Sequence, residues 1–470
     1  MKVEIVSKEI IKPSSPIPHH LRNFKLSLLD QLLPPLYVPI VIFYSNDDDH
    51  PFSSHGSQCT KSDILKKSLS ETLTKFYPIA GRIKDNILVD CTNEGVDYIE
   101  TKVNGLMSDF MSVDVVHQLS PSHILADING AAEQAQLVVQ VNMFECGGVA
   151  ISVCLSHKVV DACTAMTFLN AWAANARGVH AEGIVYPTFD SSSIFPALPM
   201  ERQVPPFEPD DAVKGENVIT KRFIFHAAGV SSLREKIAAS RSGSSVFSKY
   251  PTRVEAISAL IWKTFMDIDR VKMRLSSPPS TKTPVTLKSL LNFAVNLRTR
   301  LDPPLPQASF GNVIMDATAE SMTTATTNDD DESSKDFAKT LDGLVGQLRE
   351  AVNEINGDYI RKLKDGDTDF LKSIGNSSHL RNISAGGDDD GGIKVQVCWI
   401  SSLSRFPFYE TDFGWGKPCW IACNTTGEYK NSLLIMDTKC GTGIEAWVSL
   451  EEEDMSIFEE NHQLLHYAKT

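Results

Sequence analysis

No Cys-x-x-Cys pair occurs among the nine cysteines, and Cys419 with Cys423 lacks the neighbouring ligands that would complete a zinc site. The thiols are therefore expected to be reduced. Long apolar runs are missing as well. Residues 32–44 are the strongest early stretch, but Pro34, Pro35 and Pro39 break it and it falls short of the ~20 residues that span a bilayer. The opening residues, MKVEIVSKEIIKP, have no leader-type hydrophobic core. A cytoplasmic, monomeric protein without a membrane partner is the expectation. Positive charge is in short supply: 45 Lys and Arg against 59 Asp and Glu give a net charge of -14. With no long basic run, nucleic acid is excluded as a natural partner. The same deficit means that a polyanionic ligand would need a local basic rim against an unfavourable overall field. Gly81-Arg82 lacks the glycine spacing of a phosphate loop.

What is present is enough for two cores. The chain has 470 residues, 42% of them hydrophobic, and single cores stop growing near ~250–300 residues. Strand patterns fall at 3–11, 38–44, 87–91, 97–102, 137–144 and 151–155. A helix capped by Ser62 or Asp63 would run to Phe76, with Leu65, Leu69, Leu73 and Phe76 as its buried stripe. Another helix covers 160–176. From 177 to 216 the pattern dissolves into Gly, Pro, Ser and acidic residues, which reads as a crossover. The second half offers strands at 219–225, within 287–297, and at 395–400, 420–423, 433–436 and 444–450. Helices are expected at 230–239, 253–266, 337–355 and from 454. Residues 321–335 and 386–392 read as acidic surface excursions. The expected division is an N-terminal domain at 1–176, a crossover at 177–216 and a C-terminal domain at 217–470, both domains mixed α/β.

His157 and Asp161, in Ser156-His157-Lys158-Val159-Val160-Asp161, form the pair with chemical content. They lie where a predicted strand passes into a helix, a junction that combines rigid placement with access. Histidine takes and returns a proton near neutrality. Such a base accelerates attack by an alcohol by about 10²–10⁴-fold when positioned. A lone HxxxD is a weak signal that reads more readily as a structural histidine, and one His with one Asp is too few for a metal. In Asp412-Phe413-Gly414-Trp415-Gly416 the aromatics can pack, the glycines free the turn and Asp412 can cap it. The structural reading of that motif is preferred.

Taken together, HxxxD at 157–161 and DFGWG at 412–416 resemble the signature of the plant BAHD acyltransferases, which use acyl-CoA donors. Leu26-Ser27-Leu28-Leu29-Asp30, Phe76-Tyr77-Pro78-Ile79-Ala80-Gly81-Arg82, Asn296-Leu297-Arg298, Pro303-Pro304-Leu305-Pro306 and Phe310-Gly311-Asn312 match in the same order. The resemblance spans essentially the whole chain. It implies two similar-sized α/β domains of the CoA-dependent acyltransferase type with a channel between them, and direct transfer at His157 through a tetrahedral intermediate. It also implies that Asp161 pairs with Arg298 and supports the site without touching substrate. Within the family, VSKEIIKP, NILVDC, VQVNMFECGG and DTKCGTGIEAW most resemble the alkaloid O-acetyltransferases of the benzylisoquinoline type. Acetyl-CoA is then the co-substrate and an alkaloid alcohol the acceptor, with no permanent cofactor and no metal.

Three points depart from the family pattern or go beyond it. Ala162 follows the motif aspartate where Gly is common. Ser401 keeps a hydroxyl where many relatives have Thr or Ser, but Leu403 stands where they have Trp. Either residue is a candidate for the pocket or the oxyanion region, although leucine cannot donate a hydrogen bond. Arg234, Lys236, Arg241, Ser245, Lys249 and Arg253 are candidate contacts for the coenzyme A phosphates. Two other readings stay open: a phenolic or aliphatic alcohol as acceptor, and a non-catalytic binding protein of the same fold.

Overall fold

The computed structural model describes residues 2–46, 60–126, 134–204, 215, 217–240, 250–276, 285–325, 334–379, 393–423 and 429–469. Two six-stranded mixed sheets organise them. In the first sheet the order is Lys2–Ile11, Val96–Asn104, Leu137–Phe144, Val149–Ser156, Tyr37–Tyr44 and Trp420–Cys423. In the second it is Ile314–Ala325, Val285–Asn296, Ile393–Ser402, Ser432–Asp437, Ile444–Glu451 and Val218–Phe225. Asn23–Lys25, Leu88–Asp90 and Arg82–Lys84 make a small third sheet.

The strand Val149–Ser156 has all eight residues buried, because it lies between two neighbours and both of its faces are covered. Its continuous Val/Ala/Ile/Leu character is what such a position needs. Helices Lys61–Lys75 and Ala162–Ala176 cover this sheet, and Trp172 Nε1 donates to Leu65 O at 3.2 Å between them. The first of these helices starts two or three positions earlier than a cap at Ser62 or Asp63 would place it. Thr60 is its N-cap, in a reciprocal capping box with Asp63, which satisfies more free N–H groups than Ser62 could.

Several expectations change. Residues 321–325, read as part of an acidic excursion, belong to the strand Ile314–Ala325. Its small and polar residues conceal an alternation in which Met315, Ala317, Ala319 and Ser321 are buried, and it pairs antiparallel with Val285–Asn296 at the sheet edge. The helices Gly357–Lys364 and Thr368–His379 had no counterpart in the sequence reading. Residues 326–333 and 386–392 lie outside the described residues. The expected division of the chain is also crossed. Trp420–Cys423, from the second half, hydrogen-bonds to Tyr37–Tyr44 as the outer strand of the first sheet. In return Leu28, Leu29 and Leu32 join the second core. Each half thus completes its core with residues from the other.

Candidate active site

His157 ends the buried strand and is fixed from both sides of the junction. Its backbone N–H donates to Leu36 O at 2.7 Å, and four residues later Asp161 caps the helix Ala162–Ala176 by accepting from Thr164 N at 2.9 Å. The imidazole meets the second domain through the loop at 309–313. His157 Nδ1 lies 3.2 Å from Asn312 Oδ1. The orientation of that amide is determined by its other end. Asn312 Nδ2 donates to Asp30 Oδ1 at 3.0 Å and to His157 O at 2.8 Å, two groups that only accept. Oδ1 is therefore the atom facing the ring, Nδ1 carries the proton, and the lone pair is left on Nε2.

Asp161 is spent on structure. Its oxygens take Arg298 Nη1 at 2.6 Å and Nη2 at 3.1 Å, Thr164 N, and Val313 N at 3.1 Å. Arg298 is fully buried and also donates from Nη2 to Ser309 O at 2.7 Å and Gly311 O at 3.2 Å. The ion pair thus holds the 309–313 loop on which Asn312 sits. Gly311 has φ +105°, and a Cβ there would come within 3.0 Å of Ser191 Oγ, so the loop needs glycine to pass this close.

Three buried titratable groups lie around this junction. Lys158 Nζ donates to Gln31 O at 3.0 Å and Leu33 O at 2.5 Å. Burial pushes its pKa down to about 8, against the attraction of Asp30. Asp30 is itself pushed up by burial and pulled back by hydrogen bonds from Asn312 and Ser27. Cys163, on the next helix, has its thiol pushed up to about 11, first by burial and then by the charge of Asp161. It is a neutral thiol at ordinary pH and a poor nucleophile.

A cavity of about 320 Å³ opens beside His157, walled by Ser401, Leu403, Trp399 and Phe406 among others. It adjoins two larger spaces. One, of about 670 Å³, shares Ala294 and Ser402 with it and is bordered by Tyr250, Glu255 and Arg349. The other, of about 590 Å³, shares Cys163 and Phe406 and is bordered by Arg177, Arg405 and Glu410. His157 accordingly lines a cavity that adjoins a larger space at each of two sets of shared residues.

The structure brings His157, Ser401 and Leu403 to one cavity. It places the 412–416 loop elsewhere, since none of those five residues lines that cavity. Asp412 Oδ1 accepts from Gly414 N at 2.7 Å and Gly416 N at 3.0 Å. Phe413 packs edge-on against Trp172 at 4.9 Å and stacks with Trp415 at 5.8 Å. Of the residues considered for coenzyme A, Arg234 donates to Pro251 O and lies over the Tyr250 ring. Lys236 lies over Phe337, and Arg253 is taken up by Gly441 O and Asp437. None of the three lines any of these three spaces. Arg241, Ser245 and Lys249 lie outside the described residues. Asn312 and Asp30 were missed as site residues, although both fall in matching motifs. Only their meeting across 282 positions of sequence reveals what they do.

Known proteins fit this arrangement. A profile of the transferase family matches residues 1–465. The chain belongs to this family, the BAHD acyltransferases. It is 38% identical to (13S,14R)-1,13-dihydroxy-N-methylcanadine 13-O-acetyltransferase of Papaver somniferum and 37% identical to salutaridinol 7-O-acetyltransferase of the same plant. Each alignment covers 97% of this chain and 96% of the relative. The crystal structure of vinorine synthase superposes with a TM-score of 0.74 at 32% identity, over 100% of this chain and 99% of that one. The protein is thus an O-acyltransferase, with the two-domain α/β fold of its family.

Proposed function

We propose that the protein transfers an acetyl group from acetyl-CoA to a hydroxyl of a benzylisoquinoline-type alkaloid, with His157 as general base. The observation that carries the reading is the fixed ring: Nδ1–H is held by Asn312 while Nε2 keeps its lone pair beside a cavity that adjoins two larger spaces. In this reading Nε2 takes the acceptor's proton as its oxygen attacks the thioester carbonyl. The tetrahedral intermediate collapses by expelling the coenzyme A thiolate, which takes the proton back from the imidazolium. Ser401, on the facing strand, is the side-chain donor for the developing oxyanion, and Leu403 serves as pocket wall. The enzyme works as a cytoplasmic monomer, and the larger space bordered by Tyr250 and Arg349 receives the donor. The acceptor class rests on the two poppy relatives and on the mostly apolar cavity wall, which suits a rigid polycycle.

One observation favours a second acceptor class. Among the described residues lining the cavity, the single carboxylate is Asp161, and it is saturated by Arg298. An uncharged phenolic or aliphatic alcohol would suit such a wall better than a cation. A competition assay decides: a morphinan alcohol, a hydroxylated N-methylcanadine and a simple phenolic alcohol share one pool of acetyl-CoA, and products are resolved by mass. Acetylation of an alkaloid is expected, and preference for the phenolic alcohol overturns the acceptor assignment. His157→Ala should fold with an unchanged melting temperature and lose on the order of 10²–10⁴-fold in kcat. A folded variant with most of its kcat would remove the base assignment.

A further inference from the structure

Asp30 is a carboxylate with 1% exposure, set in the short helix Leu28–Leu32, and the transfer chemistry gives it no direct task. Four donors converge on it. Ser27 N and Oγ meet Oδ2 at 2.9 and 2.7 Å, while Asn312 N and Nδ2 meet Oδ1 at 2.8 and 3.0 Å. An acceptor-only partner for every one of these donors has to be ionised or nearly so. The charge that faces it is the Lys158 ammonium, held on the carbonyls of Gln31 and Leu33 from the same helix region. On the far side of the 309–313 loop Asp161 and the Arg298 Nη atoms bond to each other and to that loop's backbone.

A side-chain amide can turn by half a revolution at little steric cost, so something must choose between its two orientations. Turned over, Asn312 would aim its oxygen at the Asp30 carboxylate and its NH₂ at His157 Nδ1. The first contact is repulsive in a buried setting. The second is tolerated only if the ring moves its proton to Nε2, which then has no lone pair to offer. His157 O alone, 2.8 Å from Asn312 Nδ2, would be a weaker selector, because it is a neutral carbonyl.

We propose that Asp30 is a positioning residue for His157: through Asn312 it keeps the ring proton on Nδ1 and so keeps Nε2 available as a base. The proposal rests on the general-base reading for its kinetic consequence, but its geometric content can be read without any reaction. The arrangement resembles an aspartate–histidine pair with an amide inserted, in which the carboxylate fixes the tautomer from one residue further away.

The experiment is a double-mutant cycle on the full chain, read by kinetics with acetyl-CoA and by ¹⁵N shifts of the His157 ring, assigned by comparison with His157→Ala. The wild type should show a protonated Nδ1 and an unprotonated Nε2. Asp30→Ala should mix the tautomers and lower kcat by on the order of 10²-fold, within the range that a positioned base supplies, with KM for acetyl-CoA little changed. Asp30→Asn, which keeps one acceptor oxygen, should fall between the two in both readouts. In an Asn312→Ala background neither Asp30 substitution should lower kcat further. If Asp30→Ala does not fold, the near-isosteric Asp30→Asn carries the same cycle. The proposal is overturned if the wild-type proton sits on Nε2, if the tautomer is unchanged in a folded Asp30 variant, or if the fold-loss is the same in both backgrounds. Activity surviving in His157→Ala would remove the base reading instead, and the ring shifts would still report whether Asp30 sets the tautomer.

Discussion

At the scale of single residues, the neighbourhood of His157 is built from groups that are expensive to bury. Lys158 shows this most directly, since it is 3% exposed and its ammonium rests on two carbonyls, with no carboxylate among the described residues in an ion pair with it. Its pKa is pushed from 10.5 to about 8 by burial. The unfolded chain therefore holds this proton up to about pH 10.5 while the folded chain releases it near pH 8. Between those values the unfolded state binds more protons, so stability contributed by this group rises with pH across that window. Below about pH 8 the cost of the buried charge is present in full, roughly 3 kcal/mol at 1.36 kcal/mol per unit. We predict that the stability of wild type relative to Lys158→Met increases by about that amount from pH 8 to 10.5, measured by denaturant unfolding. A difference that stays flat with pH would mean that Lys158 is not held as a strained cation.

At the scale of elements, the decisive object is the junction where strand Val149–Ser156 passes into helix Ala162–Ala176, together with the loop at 309–313. Much of the junction was readable in advance. An apolar run at 151–155, a polar break and a second stretch of helical character from 160 place His157 at a strand end, while the capping role of Asp161 emerged only in the structure. The loop was not readable in this way, because Pro303–Pro306 and Phe310–Asn312 carry no periodicity from which a conformation could be argued. Asp161 and Arg298 join the two elements while both are buried, with side-chain exposures of 1% and 0%. Removing one partner of such a pair leaves an uncompensated buried charge and costs about 3–5 kcal/mol. Asp161→Asn and Arg298→Ala should each destabilise the protein, Arg298→Ala by that amount and Asp161→Asn by somewhat less. The double mutant should cost clearly less than the sum of the two. Thermal and denaturant melts of the four proteins measure this, and strict additivity would place the two side chains out of contact. Loss of kcat in the soluble single mutants should follow, since the Arg298 guanidinium also holds the carbonyls of Ser309 and Gly311 beside Asn312.

At the scale of the whole molecule, the two halves are interleaved. Trp420–Cys423 closes the edge of the first sheet, and the 412–416 loop leads into it, packed on Trp172 and Tyr44. Arg177, just past the end of helix Ala162–Ala176, donates to Asp412 O and ties that loop down. The DFGWG motif therefore stabilises the joint between the halves at a distance from the reacting cavity. Gly414 has φ +111°, a conformation that a residue with Cβ rarely adopts. Gly414→Ala should cost about 1–3 kcal/mol in stability. The folded protein should retain its KM for acetyl-CoA and most of its kcat, checked by melting temperature and by activity per folded molecule. A normal melting temperature with a large loss of kcat would instead assign the loop to the chemistry.

The sequence alone determined the family, the α/β class and the strand-end histidine with its aspartate four residues on, because each is written in residues close together along the chain. Hydrophobic runs, caps and short motifs are local, and local patterns survive in one dimension. Tertiary structure decided the rest. It placed Asp30 and Asn312 around His157, exchanged Trp420–Cys423 between the halves and paired Arg253 with Asp437. Those outcomes depend on which buried donor finds which buried acceptor once the cores close. A buried hydrogen bond fixes its partners by the cost of leaving either one unmade, and that cost exists only after water has been excluded.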